Sequence, residues 1–238
     1  MSESSELGTS ESSWPQSAED VERLNDQLAR EHSIDEYYAS SPYVIRWVQK
    51  RRLRLIEGMV EAAPGSRILD VGSGGGHVLR MFPQAKLTAV DVSDVYLDIA
   101  RRNLSGYDVE FHKGQIETLG LPTQSFDRII CTEVLEHTTN PGEILHELAR
   151  LVHPSGRVVI TVPVDPVIDR AKAILRKTPV GWLLRNRIQW GGDRYHLQKW
   201  WPSEFQTLLE REFAVERRTL VPVPLLPFHA CFLCRPRS

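Results

Sequence analysis

Short apolar runs at Arg67–Val71, Leu87–Asp91, Val109–His112, Asp127–Thr132 and Arg157–Val162 alternate with glycine turns and with segments of helical periodicity. Runs so uniformly apolar suit strands covered on both faces, and strands separated by crossover helices pair in parallel. The pattern therefore predicts a doubly wound α/β domain. Its helices are expected at His77–Phe82, Val95–Asn103 and Pro141–Val152, the last stopped by Pro154 and Gly156. Ahead of this core, Val44, Ile45, Val48, Leu53, Leu55, Ile56 and Val60 recur at roughly helical spacing, which places a helix within residues 33–61. The alternation stops at Pro163. Later, Trp201-Pro202-Ser203-Glu204 predicts a helix start capped by serine. Ala214–Val221 and Phe228–Arg235 read as a closing pair of strands around the proline-rich stretch 222–227.

Composition adds a boundary. Residues 1–36 hold ten Asp/Glu against two Arg, whereas 164–201 hold eight Lys/Arg against three Asp, although the whole chain sums to −2. With few large apolar groups to bury, residues 1–32 are expected as an acidic, disordered tail. Residues 33–238 form the folded domain, with a basic insert at about 164–200. Three cysteines in 238 residues cannot build a disulfide framework, and the first residues lack the pattern of a secretory signal. A reducing, cytoplasmic setting is expected. No apolar run is long enough to span a bilayer.

The first strand runs into Gly72-Ser73-Gly74-Gly75-Gly76, where a sharp turn and close approach to a ligand require glycine. A nicotinamide-type G-x-G-x-x-G turn would need glycine where His77 stands, and Asp70 would repel a pyrophosphate, which disfavours a nicotinamide-dependent reductase. An acid beside the turn instead suits a cationic ligand such as a sulfonium with an ammonium group. Asp91 ends the second strand 19 residues beyond Gly72, an offset that suits hydrogen bonds to a ribose diol. Taken singly, the glycines fit a packing turn and Asp91 a solvated acid or helix cap.

Leu69-Asp70-Val71-Gly72-Ser73-Gly74-Gly75-Gly76, Val90-Asp91-Val92-Ser93, Ser125-Phe126-Asp127-Arg128-Ile129-Ile130 and Glu133-Val134-Leu135-Glu136-His137 together resemble the successive motifs of the class I S-adenosylmethionine (SAM)-dependent methyltransferases. The resemblance covers about residues 65–163. Within that superfamily the chain looks most like the ubiquinone-type O-methyltransferases, which share the Glu-x-x-Glu-His element and a downstream histidine. The resemblance implies a Rossmann-like, seven-stranded, mostly parallel sheet with helices on both faces and an antiparallel C-terminal strand. It also implies SAM as cofactor, with Gly72 and Gly74 at the methionine part, Asp91 at the ribose and the segment Gly114-Gln115-Ile116-Glu117 at the adenine; Asp70, Gly76, Val92, Thr132 and Glu133 complete the expected cofactor-binding set. Gln115 departs from the family, which commonly has Asp there.

Methyl transfer to a hydroxyl needs alignment and a base. The segment after the fourth strand, at the carboxyl edge where open α/β sheets place their ligands, supplies His137, and His196 is the downstream partner. An imidazole titrating near about 6.5 suits proton abstraction at neutral pH. Three readings stand side by side: a histidine base without metal, a divalent cation on Glu133, Glu136, His137 and His196, and a purely structural cluster. The quartet also resembles the metal set of small-RNA 2′-O-methyltransferases. The expectation is His137 and His196 as catalytic residues with no metal, acting on a small, rather hydrophobic molecule. Alternatives are a metal-using RNA 2′-O-methyltransferase and an inactive SAM-binding regulatory partner.

Tyr37 and Tyr38 read as lid or as packing. In the insert, Val167, Ile168, Ala171, Ile174 and Leu175 oppose Arg170, Lys172, Arg176 and Lys177, and a second apolar cluster runs from Val180 to Trp190. Residues 166–190 thus offer a lid over an apolar substrate with peripheral membrane contact, or a helix packed on the sheet. No RNA-binding module is recognisable, so nucleic acid is not the expected partner. Cys231-Phe232-Leu233-Cys234 has metal-ligand spacing but stands alone in a strand-like run, which favours structural cysteines.

Overall fold

The computed structural model describes residues 22–23, 25–27, 43–183 and 196–237. Its elements in chain order are α1 (Tyr43–Val60), β1 (Arg67–Val71), β2 (Lys86–Asp91), α2 (Asp94–Asn103), β3 (Val109–Lys113), β4 (Phe126–Thr132), α3 (Pro141–Leu151), β5 (Val152–Pro163), α4 (Asp165–Arg176), α5 (Pro179–Leu183), α6 (Pro202–Leu209), β6 (Phe213–Val223) and β7 (Leu226–Pro236).

One seven-stranded sheet runs in the order β3-β2-β1-β4-β5-β7-β6. Strands β1 to β5 pair in parallel, and β7 lies antiparallel between β5 and β6. This is the expected fold class. Both faces are buried: Ile129, Cys131, Val158 and Ile160 enter one core with α3 and α6, while Ile130 and Val159 enter the other with α1 and α2. Alternation with apolar side chains on both sides explains why the strands read as continuous apolar runs.

Strand order reverses between β1 and β4, because the chain winds from β1 outward through β2 to β3 and then returns. The crevice outside the carboxyl ends of β1 and β4 is the topological switch point, where folds of this type bind ligands. Helix α1 runs against the parallel strands: its C-terminal Val60 carbonyl accepts a hydrogen bond from Arg128 near the start of β4, at 2.6 Å, while Arg52 reaches Glu133 just past the end of β4. The first half of α1 therefore lies at the ligand-binding edge.

Three local expectations are corrected. The segment His77–Phe82 holds only the single 3-10 turn Leu79–Met81, because the stretch between Gly76 and Pro83 is too short to recover the cost of nucleating a helix. Strand β5 begins at Val152, so Pro154 and Gly156 lie inside the strand and not in a loop. Helix α6 is capped at Trp201, whose N–H donates to the Glu204 carboxylate at 2.9 Å; Ser203 lies inside the helix. At the other end, described residues from Glu22 to Gln27 are helical within the span expected as tail. Tyr37, Tyr38 and the insert from Leu184 to Tyr195 lie outside the described residues.

Candidate active site

The turn after β1 is pinned to the neighbouring strand. Gly72 and Ser73 both donate N–H to the Val90 carbonyl, at 2.8 and 3.0 Å. Gly72 has φ +68°, a left-handed backbone that side chains rarely adopt, and a Cβ there would stand 2.3 Å from Val134 Cγ2. The loop after β4 thus closes directly on the glycine turn. Gly72→Ala is expected to lower thermal stability by about 2 kcal/mol or more, combining left-handed strain with the clash. It should also weaken SAM binding at least tenfold in calorimetric titration. An alanine chain that melts and binds like the parent would show that Val134 does not set this turn.

Two buried acids lie beneath it. Asp91 accepts the Gly74 N–H through Oδ2 at 2.8 Å and the Ser93 N–H through Oδ1 at 2.9 Å, so it organises the turn as well as ending β2. Burial pushes its carboxyl up, against those backbone hydrogen bonds, which pull it down. Asp70 is buried with Oδ1 unpartnered among the described residues, and burial followed by the Asp91 charge pushes it well up. Two neighbouring acids under strain of this kind favour a cation. SAM fits: its ammonium and sulfonium would relieve Asp70, and the oxygens of Asp91, each able to accept a second hydrogen bond, suit the two ribose hydroxyls. Val92 is half-buried beside Asp91. Gly114 donates its N–H to the Asp91 carbonyl at 3.0 Å, which sets Gln115 and the buried Ile116 at the next strand end, where the adenine was expected. Described residues of the N-terminal stretch also border this rim, through Asp26 to the Ser93 hydroxyl and Glu22 to Lys113.

Beyond β4 the expected cluster divides. Thr132 is half-buried at the strand end, facing Thr161 of β5. The Glu133 carboxylate is engaged by Arg52 at 3.0 Å, the Thr161 hydroxyl at 2.8 Å and His229 Nε2 at 3.4 Å. Burial raises its carboxyl, but the charges of Arg52 and His229 outweigh burial and hold it well below the usual carboxylate range. Its side chain is committed to these partners, and the expected part of Glu133 at the cofactor is left to its backbone. Glu136 is the opposite case. Both its carboxylate oxygens are buried without a hydrogen-bond partner among the described residues, and burial plus the Glu133 charge push it well up. Two carboxyls three residues apart thus have their pKa values pushed in opposite directions.

His137 and His196 do meet: their rings lie edge to face with centroids 4.9 Å apart. His137 is partly open to solvent, whereas His196 is nearly covered and its Nδ1 lies 2.8 Å from Oδ2 of the buried Asp165. With a proton on Nδ1 held by that carboxylate, Nε2 is the ring nitrogen that can accept one. One ligand atom each from Glu136, His137 and His196 lies within 4.8 Å of the others. Arg52, Thr161, Asp165 and His229 were not found by sequence reasoning. The one available signal was Asp165, two residues after the strand-ending Pro163.

Cys231 and Cys234 carry no chemistry here. Three residues apart in β7, they enter opposite cores, and burial pushes both thiols up to about 12. They cannot share a ligand.

Residues 69–160 match a methyltransferase domain family. Among curated proteins, the chain is 35% identical over 130 residues to the mitochondrial ubiquinone biosynthesis O-methyltransferase of Schizosaccharomyces pombe, covering 49% of this chain and 47% of the relative. It is 30% identical over 164 residues to the ubiquinone biosynthesis O-methyltransferase of Pseudomonas entomophila, covering 64% and 66%. The chain spans about half the length of the first curated relatives it matches, 47% and 44%. Among solved structures, an N-methyltransferase from Bradyrhizobium japonicum in complex with S-adenosyl-L-homocysteine superposes with TM-score 0.66 at 14% identity, over 90% of this chain and 98% of that one. At that identity the likeness is one of fold.

Proposed function

Residues 69–160 form a class I, SAM-dependent methyltransferase domain, and on that premise we propose that the chain moves the methyl group to an oxygen of a small, rather hydrophobic molecule. When bound, SAM supplies a methyl group on a sulfonium that leaves as a neutral thioether. The chain's part is to hold that donor on Asp70, Asp91 and the glycine turn, and to deprotonate the acceptor. The single observation that carries the reading is the His196–Asp165 pair. Asp165 orients the imidazole and stabilises its charged form, so Nε2 takes the hydroxyl proton. His137, edge-on to that ring, limits its rotation.

Support for an apolar acceptor comes from α4 and α5. Val167 packs on the core, but Ile174, Trp182 and Leu183 remain exposed at 69%, 66% and 72%, as a lid or membrane-contacting element would require. The ubiquinone-pathway names of the relatives point the same way. A cytoplasmic setting belongs to the same proposal, supported by three unpaired thiols.

Glu136 favours a second reading. Its buried carboxyl, without a hydrogen-bond partner among the described residues and 4.0 Å from His137 Nε2, fits a divalent cation held with His137 and His196, which would lower the pKa of an acceptor hydroxyl. Glu133, bound to Arg52, stands outside that triad.

Incubating the chain with methyl-labelled SAM and a metabolite extract, with and without chelator, is expected to move label into the solvent-extractable fraction in both cases. Transfer abolished by chelator would replace the metal-free reading with the cation. No transfer into any fraction, with SAM still bound, would leave an inert SAM-binding partner.

A further inference from the structure

Helix α1 carries basic side chains on two faces. Arg52 turns inward to Glu133. Arg46, Lys50 and Arg54 follow one another at four-residue intervals on the exposed side, with Arg51 next to them, and together they line an open cleft of about 650 Å³ between α1 and β6. Among the described residues, no Asp or Glu lines this cleft. Several other arginines on the described surface, though not all, are paired with an acid: Arg67 with Asp127, Arg150 with Glu147 and Arg157 with Glu216. Arg46, Lys50 and Arg54 have no acidic partner among the described residues. Like charges four residues apart weaken a helix, so the row is costly unless an anion neutralises it.

The cleft is also partly organised. Arg51 donates Nε–H to the Pro222 carbonyl at 3.0 Å, and its guanidinium lies 5.9 Å over the Trp47 ring, which holds a planar donor group across the gap from helix to strand. Guanidinium forks and an ammonium suit phosphate oxygens, and this many cations exceed what one carboxylate would neutralise. The volume falls within the range of small-ligand sites. We propose that this cleft binds a phosphate-bearing ligand, a phosphomonoester or phosphodiester, at a site separate from the SAM turn. The ligand is either a soluble phosphate compound or a lipid headgroup. Beyond Pro222, Val223 and Leu225 are exposed at 44% and 95%, and Tyr43 at 75% flanks the other side, so the cleft opens beside an apolar rim. The proposal stands independently of what is methylated.

Two probes separate the sources. The intact chain is titrated calorimetrically with inorganic pyrophosphate, and co-sedimented with vesicles of equal parts phosphatidylcholine and phosphatidylglycerol. Binding is expected to weaken with rising ionic strength, and to fall about tenfold or more in Arg46→Gln/Arg54→Gln and further in Arg46→Glu/Arg54→Glu. SAM affinity should be unchanged in both variants, which shows that they fold. Pyrophosphate binding lost in the variants supports the site with a soluble ligand. Vesicle binding alone, lost in the variants, supports it with a lipid headgroup. Binding of neither probe, or binding that both variants retain, overturns it.

Discussion

Replacing His196 with alanine is expected to lower methyl transfer by about 10²- to 10⁴-fold, the usual contribution of a positioned base. SAM affinity should stay within about twofold, because the imidazole sits with Asp165 and His137, apart from the glycine turn. Asp165→Asn should give a large loss as well, since an amide can favour the wrong imidazole tautomer. Single-turnover rates with saturating SAM measure the chemical step. His196→Gln, which keeps most of the bulk, serves as the control for packing. Unchanged turnover in either His196 variant removes the base.

The second large effect concerns stability. Arg52→Ala should destabilise the fold by about 2 to 3 kcal/mol, below the usual 3 to 5 for breaking a buried pair. The discount follows from Glu133, whose side chain is 26% exposed and keeps the Thr161 hydroxyl and His229. For a chain of this size the midpoint should fall by roughly 5–10 °C. The pH dependence has a definite sign. Glu133 is held below its unfolded value, so its contribution is fully present above about pH 4.5 and is lost as pH falls toward the folded value. The gap between parent and variant should therefore be widest near neutrality and narrow in acid. Arg52→Ala/Glu133→Gln should recover part of the loss. Equal midpoints at pH 7 would mean that the pair contributes nothing net.

The sheet was legible because burial on both faces writes itself as apolar runs, and Asp70, the glycines and Asp91 because turn geometry fixes their spacing. Arg52 was not. It stands in Lys50-Arg51-Arg52-Leu53-Arg54, where composition makes the arginines equivalent; only the phase set by Val48, Ile56 and Met59 turns Arg52 inward and leaves Arg54 outside. Asp165 was hidden for another reason: its partner His196 lies 31 residues away, joined by tertiary packing and not by period. Glu133 and Glu136 looked like one acidic pair. Their opposite environments follow from Arg52 of α1 and His229 of β7 contacting Glu133, while Glu136 is buried without a hydrogen-bond partner among the described residues.

The burial of the thiols has a practical consequence. Cys131, Cys231 and Cys234 are the chain's three cysteines, each enclosed at 0% exposure in β4 or β7. A thiol-reactive dye can reach them only when the central strands open. Labelling rates in mild denaturant thus clock the loss of the sheet core without any engineered reporter, and binding of SAM to the folded state should slow that clock.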